Sequence, residues 1–195
     1  MKTRELWDRE APTFDDEPDH GLGDERIRDA WRTMLLDVLP PAPARVADLG
    51  CGTGTLAVLL GEDGYAVDGL DVSPEMVSRA RAKATAADVA VEVRVGDANA
   101  PDLDPAAYDV VLSRHVLWAM DDPAAALRRW LGLLAPDGAL VLVEGSWSTG
   151  AGITAEEAVA LVRGTGREAE LRRLPEAVYW GKEISDDRYL LVSRP

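Results

Sequence analysis

A run of glycines beside a carboxylate marks the part of this sequence best suited to bind a small ligand. The run is VADLGCGTG, residues 46–54, and it places Gly50, Gly52 and Gly54 directly after an apolar stretch. Glycines at such a point let the backbone approach a ligand closely. Asp48 stands two residues before the first glycine, and the G-x-G-x-G spacing differs from the G-x-G-x-x-G of a dinucleotide site. A carboxylate there is a poor neighbour for a pyrophosphate, so the loop favours a cationic ligand.

Two further acids follow the next two predicted strands. Asp71 ends the second strand, at a position where a carboxylate can accept hydrogen bonds from both hydroxyls of a ribose. Asp97 follows the third strand, and the glycine loop itself contains no Lys or Arg to pair with a phosphate. Together the three acids indicate a nucleoside that carries positive charge and no phosphate.

An alternation of short apolar runs and helical segments must position these residues. A 3.6-residue apolar period predicts a helix over residues 24–39, which ends at two prolines. Strands are predicted near residues 45–49, 65–70, 91–95, 109–113 and 139–144, and helices near 54–63, 74–86 and 122–134. Such alternation favours a parallel, doubly wound sheet with helices on both faces.

The carboxyl-terminal part of the chain has a different pattern. We expect a helix over about residues 154–164, followed by strands near 168–174 and 187–193. Because no helix is predicted between these two strands, they should pair as an antiparallel hairpin at or near one edge of the sheet. With no internal repeat or interdomain linker in the sequence, residues 1–195 are expected to form a single domain.

The run VADLGCGTG and the downstream run LDVSPEMV, residues 70–77, resemble the class I S-adenosylmethionine-dependent methyltransferases. The resemblance covers about residues 40–195. It implies a Rossmann-like α/β fold, a three-layer αβα sandwich whose seven strands are mostly parallel with an antiparallel C-terminal strand. It also implies S-adenosyl-L-methionine as the cofactor, lying across the carboxyl ends of the strands, and methyl transfer as the activity.

The same resemblance assigns cofactor contacts to individual positions. These are Asp48, Gly50, Cys51, Gly52, Gly54, Asp71, Val72, Met76, Asp97, Ala98 and Ser113. Asp48 and the glycine loop would hold the methionine portion, Asp71 the ribose and Asp97 the adenine amino edge. The residues alone leave simpler interpretations open, since Asp71 and Asp97 can cap the turns that follow them and Met76 can belong to the core.

The methyl acceptor is expected beyond the fourth and fifth strands. His115 follows the fourth strand and can exchange a proton near its usual pKa of about 6.5, so it is the first candidate for a catalytic base. Glu144 and Trp147 end the fifth strand, where Glu144 is expected to orient or deprotonate the acceptor, and Trp118 is expected to wall its pocket. His20 is the reserve catalytic candidate. Each of these side chains also has a purely structural interpretation as a cap, a core residue or a solvated strand end.

The first 23 residues combine aromatic side chains with a polar, turn-rich sequence. Trp7, Phe14 and His20 lie in this stretch, and Phe14 is the only Phe in the chain. The pattern resembles the segment that closes over the cofactor in many small-molecule methyltransferases. We therefore predict that residues 1–23 form a lid, with Trp7 and Phe14 against the cofactor. The alternative is an aromatic staple that holds the tail to the core.

Composition excludes several classes of protein. The formal charge of −14 would repel a nucleic-acid backbone, and we see no segregated basic stripe. A single cysteine excludes an internal disulfide framework and a multi-cysteine zinc site, so no metal is expected. No apolar run is long enough to span a membrane, and the charged amino terminus is unlike a signal peptide. We expect a cytoplasmic monomer or homodimer that acts on a small molecule at O or N, without a nucleic-acid or membrane partner.

Two other functions remain open at this stage. An NAD-dependent oxidoreductase also ends its second strand with a ribose-binding acid, although Asp48 and the glycine spacing count against it. A protein that binds S-adenosylmethionine without catalysis would keep the same glycine loop, because binding and chemistry use different residues.

Overall fold

The computed structural model describes residues 2–195, which fold around one seven-stranded sheet. Its strands are β1 (Arg45–Leu49), β2 (Ala66–Asp71), β3 (Val91–Val95), β4 (Tyr108–Arg114), β5 (Leu134–Ser146), β6 (Glu170–Arg173) and β7 (Asp187–Ser193). Its helices are α1 (Lys2–Glu10), α2 (Pro18–Gly21), α3 (Glu25–Val38), α4 (Thr55–Glu62), α5 (Pro74–Ala87), α6 (Pro123–Leu131), α7 (Ala155–Arg163) and α8 (Ala177–Trp180). No helix in this described range is long and apolar enough to cross a membrane.

The strand order is β3-β2-β1-β4-β5-β7-β6. The pairs among β1 to β5 are parallel, whereas β7 pairs antiparallel with both β5 and β6. The predicted α/β fold with one antiparallel C-terminal strand is therefore confirmed. Because the parallel strands share a direction, their carboxyl ends meet along one edge, which is where ligands bind in open α/β sheets.

Each face of the sheet is covered by its own apolar cluster. One cluster includes Trp31 of α3, Leu59 of α4 and Trp180 of α8, and the other includes Trp130 of α6 and Val162 of α7, all fully buried. Helices on both faces bury most of β1, β4, β5 and β7, which explains the nearly continuous apolar sequences of these strands, whereas the edge strands β3 and β6 are largely exposed. Helix α3 begins after Asp24, whose side chain accepts a hydrogen bond from the Arg26 amide, so the amphipathic period and a cap set this helix locally.

The structure differs from the sequence prediction in two connections. The β6–β7 hairpin is antiparallel as expected, but the prediction that no helix joins its strands is wrong, because α8 lies between them. The Trp180 indole donates to the Leu174 carbonyl at 2.8 Å, so tertiary burial of an aromatic ring stabilises this short helix. Helix α6 also ends at Leu131 rather than near residue 134, because Leu134 already pairs with Tyr108 in the sheet.

Candidate active site

A cavity of about 630 Å³ lies along the carboxyl edge of the sheet, beneath the amino-terminal segment. Most residues predicted to contact a ligand line it: Trp7, Phe14, His20, Asp48, Gly50, Cys51, Gly52, Asp71, Val72, Met76, Asp97, Ala98 and His115. Three predicted site residues do not: Gly54, Ser113 and Glu144. Residues from four parallel strand ends and from the chain's first helices therefore meet in one place.

Asp48 is the most deeply buried of the three acids at the strand ends. Its Oδ2 atom is inaccessible to solvent and has no hydrogen-bond partner among the described residues. Burial raises the pKa of Asp48 to about 7, and the positive charge of Arg114 opposes that increase. A buried carboxylate without a partner is costly unless a donor or a cation meets it. Asp48 thus fits the cationic ligand that the sequence predicts.

The glycine loop adopts backbone angles that other residues rarely take. Gly50, Gly52 and Gly54 have φ values of +72°, +55° and +76°. A Cβ on Gly50 would collide with the Val116 side chain, and a Cβ on Gly54 would lie 2.7 Å from the Ala80 Cβ. Gly54 therefore serves close packing of the loop on α5, instead of the ligand contact predicted for it.

Asp71 fastens the glycine loop and also lines the cavity. Its Oδ2 accepts from the Gly52 amide and its Oδ1 from the Ser73 amide, both at 2.9 Å. Burial raises the pKa of Asp71, while these two amide donors oppose the rise. A carboxylate has about four lone-pair sites, so acceptor capacity remains for a ligand hydroxyl. The structure thus shows the capping contacts of Asp71, and ligand binding by this residue stays a prediction.

The other residues predicted to contact the cofactor differ in whether they line the cavity. Asp97 lines the cavity and its Oδ1 accepts from the Asn99 amide at 2.8 Å, so it also caps its own turn. Met76 is buried but reaches the cavity wall. Ser113 is buried away from the cavity and donates to the Leu49 carbonyl at 3.0 Å, which joins β4 to β1. The cofactor contact predicted for Ser113 is not seen.

His115 stands directly after β4 in a strained backbone conformation. Its φ of +60° is rare for a residue other than glycine, and its Nδ1 is buried without a hydrogen-bond partner among the described residues. Burial lowers the pKa of His115 well below its ordinary value, and the charges of Arg114 and Arg188 lower it further. The ring is therefore neutral at physiological pH. Strain and an unused ring nitrogen at a cavity wall are features of functional sites.

Glu144 holds the loop behind His115 rather than entering the cavity. It is fully buried, and its Oε1 accepts from the amides of Val116 at 3.0 Å and Leu117 at 2.7 Å. Burial raises the pKa of Glu144 to about 8. The expectation that Glu144 orients or deprotonates an acceptor is thus replaced by a positioning role for the segment that follows His115.

Ionisation of Glu144 is expected to make the stability of the ligand-free protein fall as pH rises. In the unfolded chain a glutamate ionises near pH 4.5, whereas folded Glu144 keeps its proton to about pH 8, so the folded state binds more protons between these values. The stabilisation is complete below pH 4.5 and is lost by about pH 8. At roughly 1.4 kcal/mol per pKa unit, the loss is on the order of a few kcal/mol.

Urea unfolding at pH 5.5 and 8.5 measures this effect. Glu144→Gln should remove the largest part of this fall. Asp48 contributes a smaller fall of the same sign, whereas His115 and His20, whose pKa values are lowered by burial, contribute in the opposite direction. Glu168→Gln, at an exposed position, is the matched control and should leave the wild-type slope unchanged. An equal slope in wild type and Glu144→Gln would contradict the assignment.

The amino-terminal segment is held over the cavity by polar contacts. Asp8 accepts from the Ser73 hydroxyl at 2.5 Å, and Asp15 accepts from the Thr53 hydroxyl at 2.6 Å and pairs with Lys83 at 2.8 Å. The segment contains helices α1 and α2, which its turn-rich composition did not predict. Residue 1 of the predicted lid lies outside the described residues.

Aromatic rings of this segment form the roof of the cavity. Phe14 stacks on His20 with ring centroids 4.2 Å apart, and Trp7 meets Phe14 edge-on at 6.3 Å. The His20 Nδ1 lies 3.1 Å from the Phe14 carbonyl oxygen, and burial is the main cause that lowers the pKa of His20. His20 is thus tied into the roof, although it also lines the cavity.

Three cations on the far side of the cavity were not predicted from the sequence. Arg114, Lys182 and Arg188 all line it, although the protein is strongly acidic overall. Arg114 donates to the carbonyl oxygen of Asp19 in α2 at 2.5 Å. Arg114 stands next to His115 in the sequence and could have been noted, but Arg188 reaches the site only through the antiparallel placement of β7.

Comparison with known proteins finds a methyltransferase family model and a methyltransferase relative. A family model described as a methyltransferase domain matches residues 47–142. The chain is 32% identical, over 179 residues, to a ubiquinone biosynthesis O-methyltransferase of Xanthomonas axonopodis pv. citri, with 91% of this chain and 68% of that protein covered.

Solved structures with a similar fold include two with different chemistry. The [4+2]-cyclase SpnF has a TM-score of 0.75 at 21% identity, covering 85% of this chain and 80% of that chain. A geranyl diphosphate C-methyltransferase from Streptomyces coelicolor, in complex with S-adenosyl-L-homocysteine, has a TM-score of 0.74 at 16% identity, covering 87% and 80%. At these identities the two structures support the fold alone.

Proposed function

This chain belongs to the class I S-adenosylmethionine-dependent methyltransferases, and from that premise we propose that it methylates an oxygen or nitrogen atom of a small molecule. The observation that carries the proposal is the division of one cavity into two halves. Asp48 and Asp71 lie on the side of β1 and β2, and His115 with Trp147 lies on the side of β4 and β5. The cavity volume of about 630 Å³ is within the range of small-molecule sites.

The half of the cavity beside β1 and β2, the cofactor half, has the hydrogen-bond acceptors that S-adenosylmethionine requires. When bound, the cofactor supplies an electrophilic methyl group on a sulfonium. Asp48 would accept from its ammonium group, Asp71 from its ribose hydroxyls, and the glycine loop would allow close approach of the backbone. The unpartnered Oδ2 of Asp48 supports this assignment, because a bound ammonium group would satisfy it.

The acceptor half supplies a base and excludes water. Neutral His115 can take a proton from a hydroxyl or an ammonium group of the acceptor, which is the case in which methyl transfer needs a base. The roof of Phe14, Trp7 and His20 would keep water from the reacting atoms. Alignment of the acceptor contributes the rest of the rate enhancement.

The affinity for adenosylhomocysteine is expected to rise with pH around neutrality. Since the pKa of Asp48 is about 7, its carboxylate must lose a proton before it can pair with the ligand's ammonium group. Binding should therefore be about tenfold weaker at pH 6 than at pH 7.5. Calorimetry at both pH values measures the dissociation constant. Asp48→Asn should bind adenosylhomocysteine weakly at both pH values, whereas Asp97→Asn should keep the pH dependence of the wild type. A wild-type dissociation constant that does not change with pH would contradict the role of Asp48.

The proposed reaction is tested with methyl-labelled S-adenosylmethionine and pooled metabolite fractions. A product heavier by the replacement of hydrogen with methyl identifies the acceptor by mass spectrometry. The ubiquinone biosynthesis relative is named as an O-methyltransferase, which favours oxygen as the first acceptor atom to examine. We further propose a cytoplasmic location and no nucleic-acid partner, supported by the formal charge of −14. Binding of the cofactor without any labelled product would contradict the enzymatic proposal.

A further inference from the structure

Arg188 carries a buried guanidinium group with one unpartnered N–H donor. Its side chain is only 9% exposed, and its Nε is buried without a hydrogen-bond partner among the described residues. Its nearest acidic contacts are long, with Nη2 3.5 Å from Asp186 Oδ2 and Nη1 3.9 Å from Asp19 Oδ2. Hydrogen bonds between guanidinium and carboxylate are usually about 2.7–2.9 Å. Arg188 is therefore held in place by one long hydrogen bond from Nη2 to Asp186, while its Nε–H donor is unsatisfied.

The sheet topology places Arg188 in the acceptor half of the cavity. It lies near the start of β7, directly opposite Gly145 near the end of β5. Strands β4 and β5 separate β7 from β1, so Arg188 is remote from the strand that carries Asp48. Its guanidinium carbon is 4.3 Å from the Trp180 ring centroid, and the His115 ring is 6.1 Å from the same ring. Arg188 and His115, the proposed base, thus both lie beside the Trp180 ring.

Aromatic rings surround this part of the cavity. Trp147 lies edge-on to His115 at 4.9 Å and to Trp118 at 5.9 Å between centroids. All three residues line the cavity together with Arg188. These planar rings favour a ligand with a planar, apolar ring, which they can contact by stacking or by edge-to-face packing.

The neighbouring cations are already engaged by protein groups. Arg114 donates to the Asp19 carbonyl oxygen and lies 5.2 Å from the Trp31 ring centroid, and Lys182 pairs with Glu17 at 3.1 Å. Arg188 differs because its carboxylate contacts are too long for strong hydrogen bonds. A buried guanidinium without full hydrogen bonding is costly, and a planar carboxylate matches its fork with two parallel bonds.

We propose that Arg188 binds a carboxylate of the methyl acceptor, so that the acceptor is an aromatic acid held between Arg188 and the tryptophan rings. This inference rests on the proposed function and specifies its substrate class. The carboxylate pairs with Arg188 on the β7 side, while the atom to be methylated faces His115. The specificity comes from pairing of the Arg188 guanidinium with the carboxylate of the acceptor, beside the aromatic rings of Trp118 and Trp147.

Benzoate and benzamide are probes that have the same shape but differ in charge. Each is titrated by calorimetry into wild type, Arg188→Gln, Arg188→Lys and Arg114→Gln, all saturated with adenosylhomocysteine. We expect wild type to bind benzoate at least about tenfold more tightly than benzamide. Arg188→Gln should lose that preference, with benzamide affinity changed less than about twofold, and Arg188→Lys should keep part of it.

The ratio between the two probes separates recognition from a structural role. If Arg188 only holds the lid through Asp19, its replacement weakens the binding of benzoate and benzamide equally. The ratio of their dissociation constants then stays the same, and this result overturns the inference. Equal binding of both probes to wild type, no benzoate binding at millimolar concentration, or loss of the preference only in Arg114→Gln also overturns it. Failure of adenosylhomocysteine itself to bind would instead contradict the proposed function, so the two failures are distinguishable.

Discussion

Replacement of His115 by asparagine is expected to slow methyl transfer by roughly 10² to 10⁴-fold while the affinity for adenosylhomocysteine stays close to that of wild type. His115 lines the acceptor half, and its Nδ1 has no partner among the described residues. Asparagine is the suitable replacement because it tolerates the φ of +60° at this position better than alanine does. The reduction in the rate of methyl transfer then reflects the missing base rather than backbone strain.

The pH profile of the wild-type enzyme checks the same role. An ionisation near 6.5 is expected for an unperturbed histidine, but burial and neighbouring cations lower the pKa of His115 well below that value. Because the neutral form is the base, kcat at saturating cofactor should be flat from pH 6.5 to 8 and should fall only in more acidic solution. His20→Asn is the control at the other histidine. A loss of less than about threefold in His115→Asn would mean that alignment alone suffices.

Deletion of residues 1–16 is expected to reduce turnover by at least about a hundredfold with the sheet still folded. The deletion removes α1 and the roof residues Trp7 and Phe14, but it keeps α2 and its buried Asp19. The strands begin only at Arg45, and the apolar clusters on the two faces of the sheet contain no residue before Leu22. The sheet should therefore survive, whereas the cavity opens to water.

A point substitution tests the lid without removing it. Asp15→Ala breaks the contacts to Thr53 and Lys83, although Asp15 does not line the cavity, and Glu10→Ala at an exposed position of α1 is the matched control. Hydrogen exchange should show that adenosylhomocysteine protects residues 2–23 in wild type and in Glu10→Ala, and protects them less in Asp15→Ala. Near-normal turnover of the truncated chain would show that the segment is only a structural staple.

Much of this protein is determined by local sequence. Short apolar runs and a 3.6-residue apolar period predicted the α/β class and most strand positions, because both patterns are set by which side chains must be buried. The glycine loop and the acids at positions 48, 71 and 97 predicted a cationic nucleoside ligand, because backbone reach and charge depend on residue type and spacing. These features need no knowledge of distant contacts.

The tertiary structure decided which of the chemically capable residues can reach a ligand. Glu144 lies near the end of β5, which continues to Ser146, and it faces the amides of Val116 and Leu117 because the loop after β4 folds over it. The local pattern around residues 177–180 did not predict α8, because the burial of Trp180 against other elements stabilises it. Arg188 enters the acceptor half only because β7 runs antiparallel beside β5. Such long-range contacts set burial and pKa, and no window of sequence contains both partners.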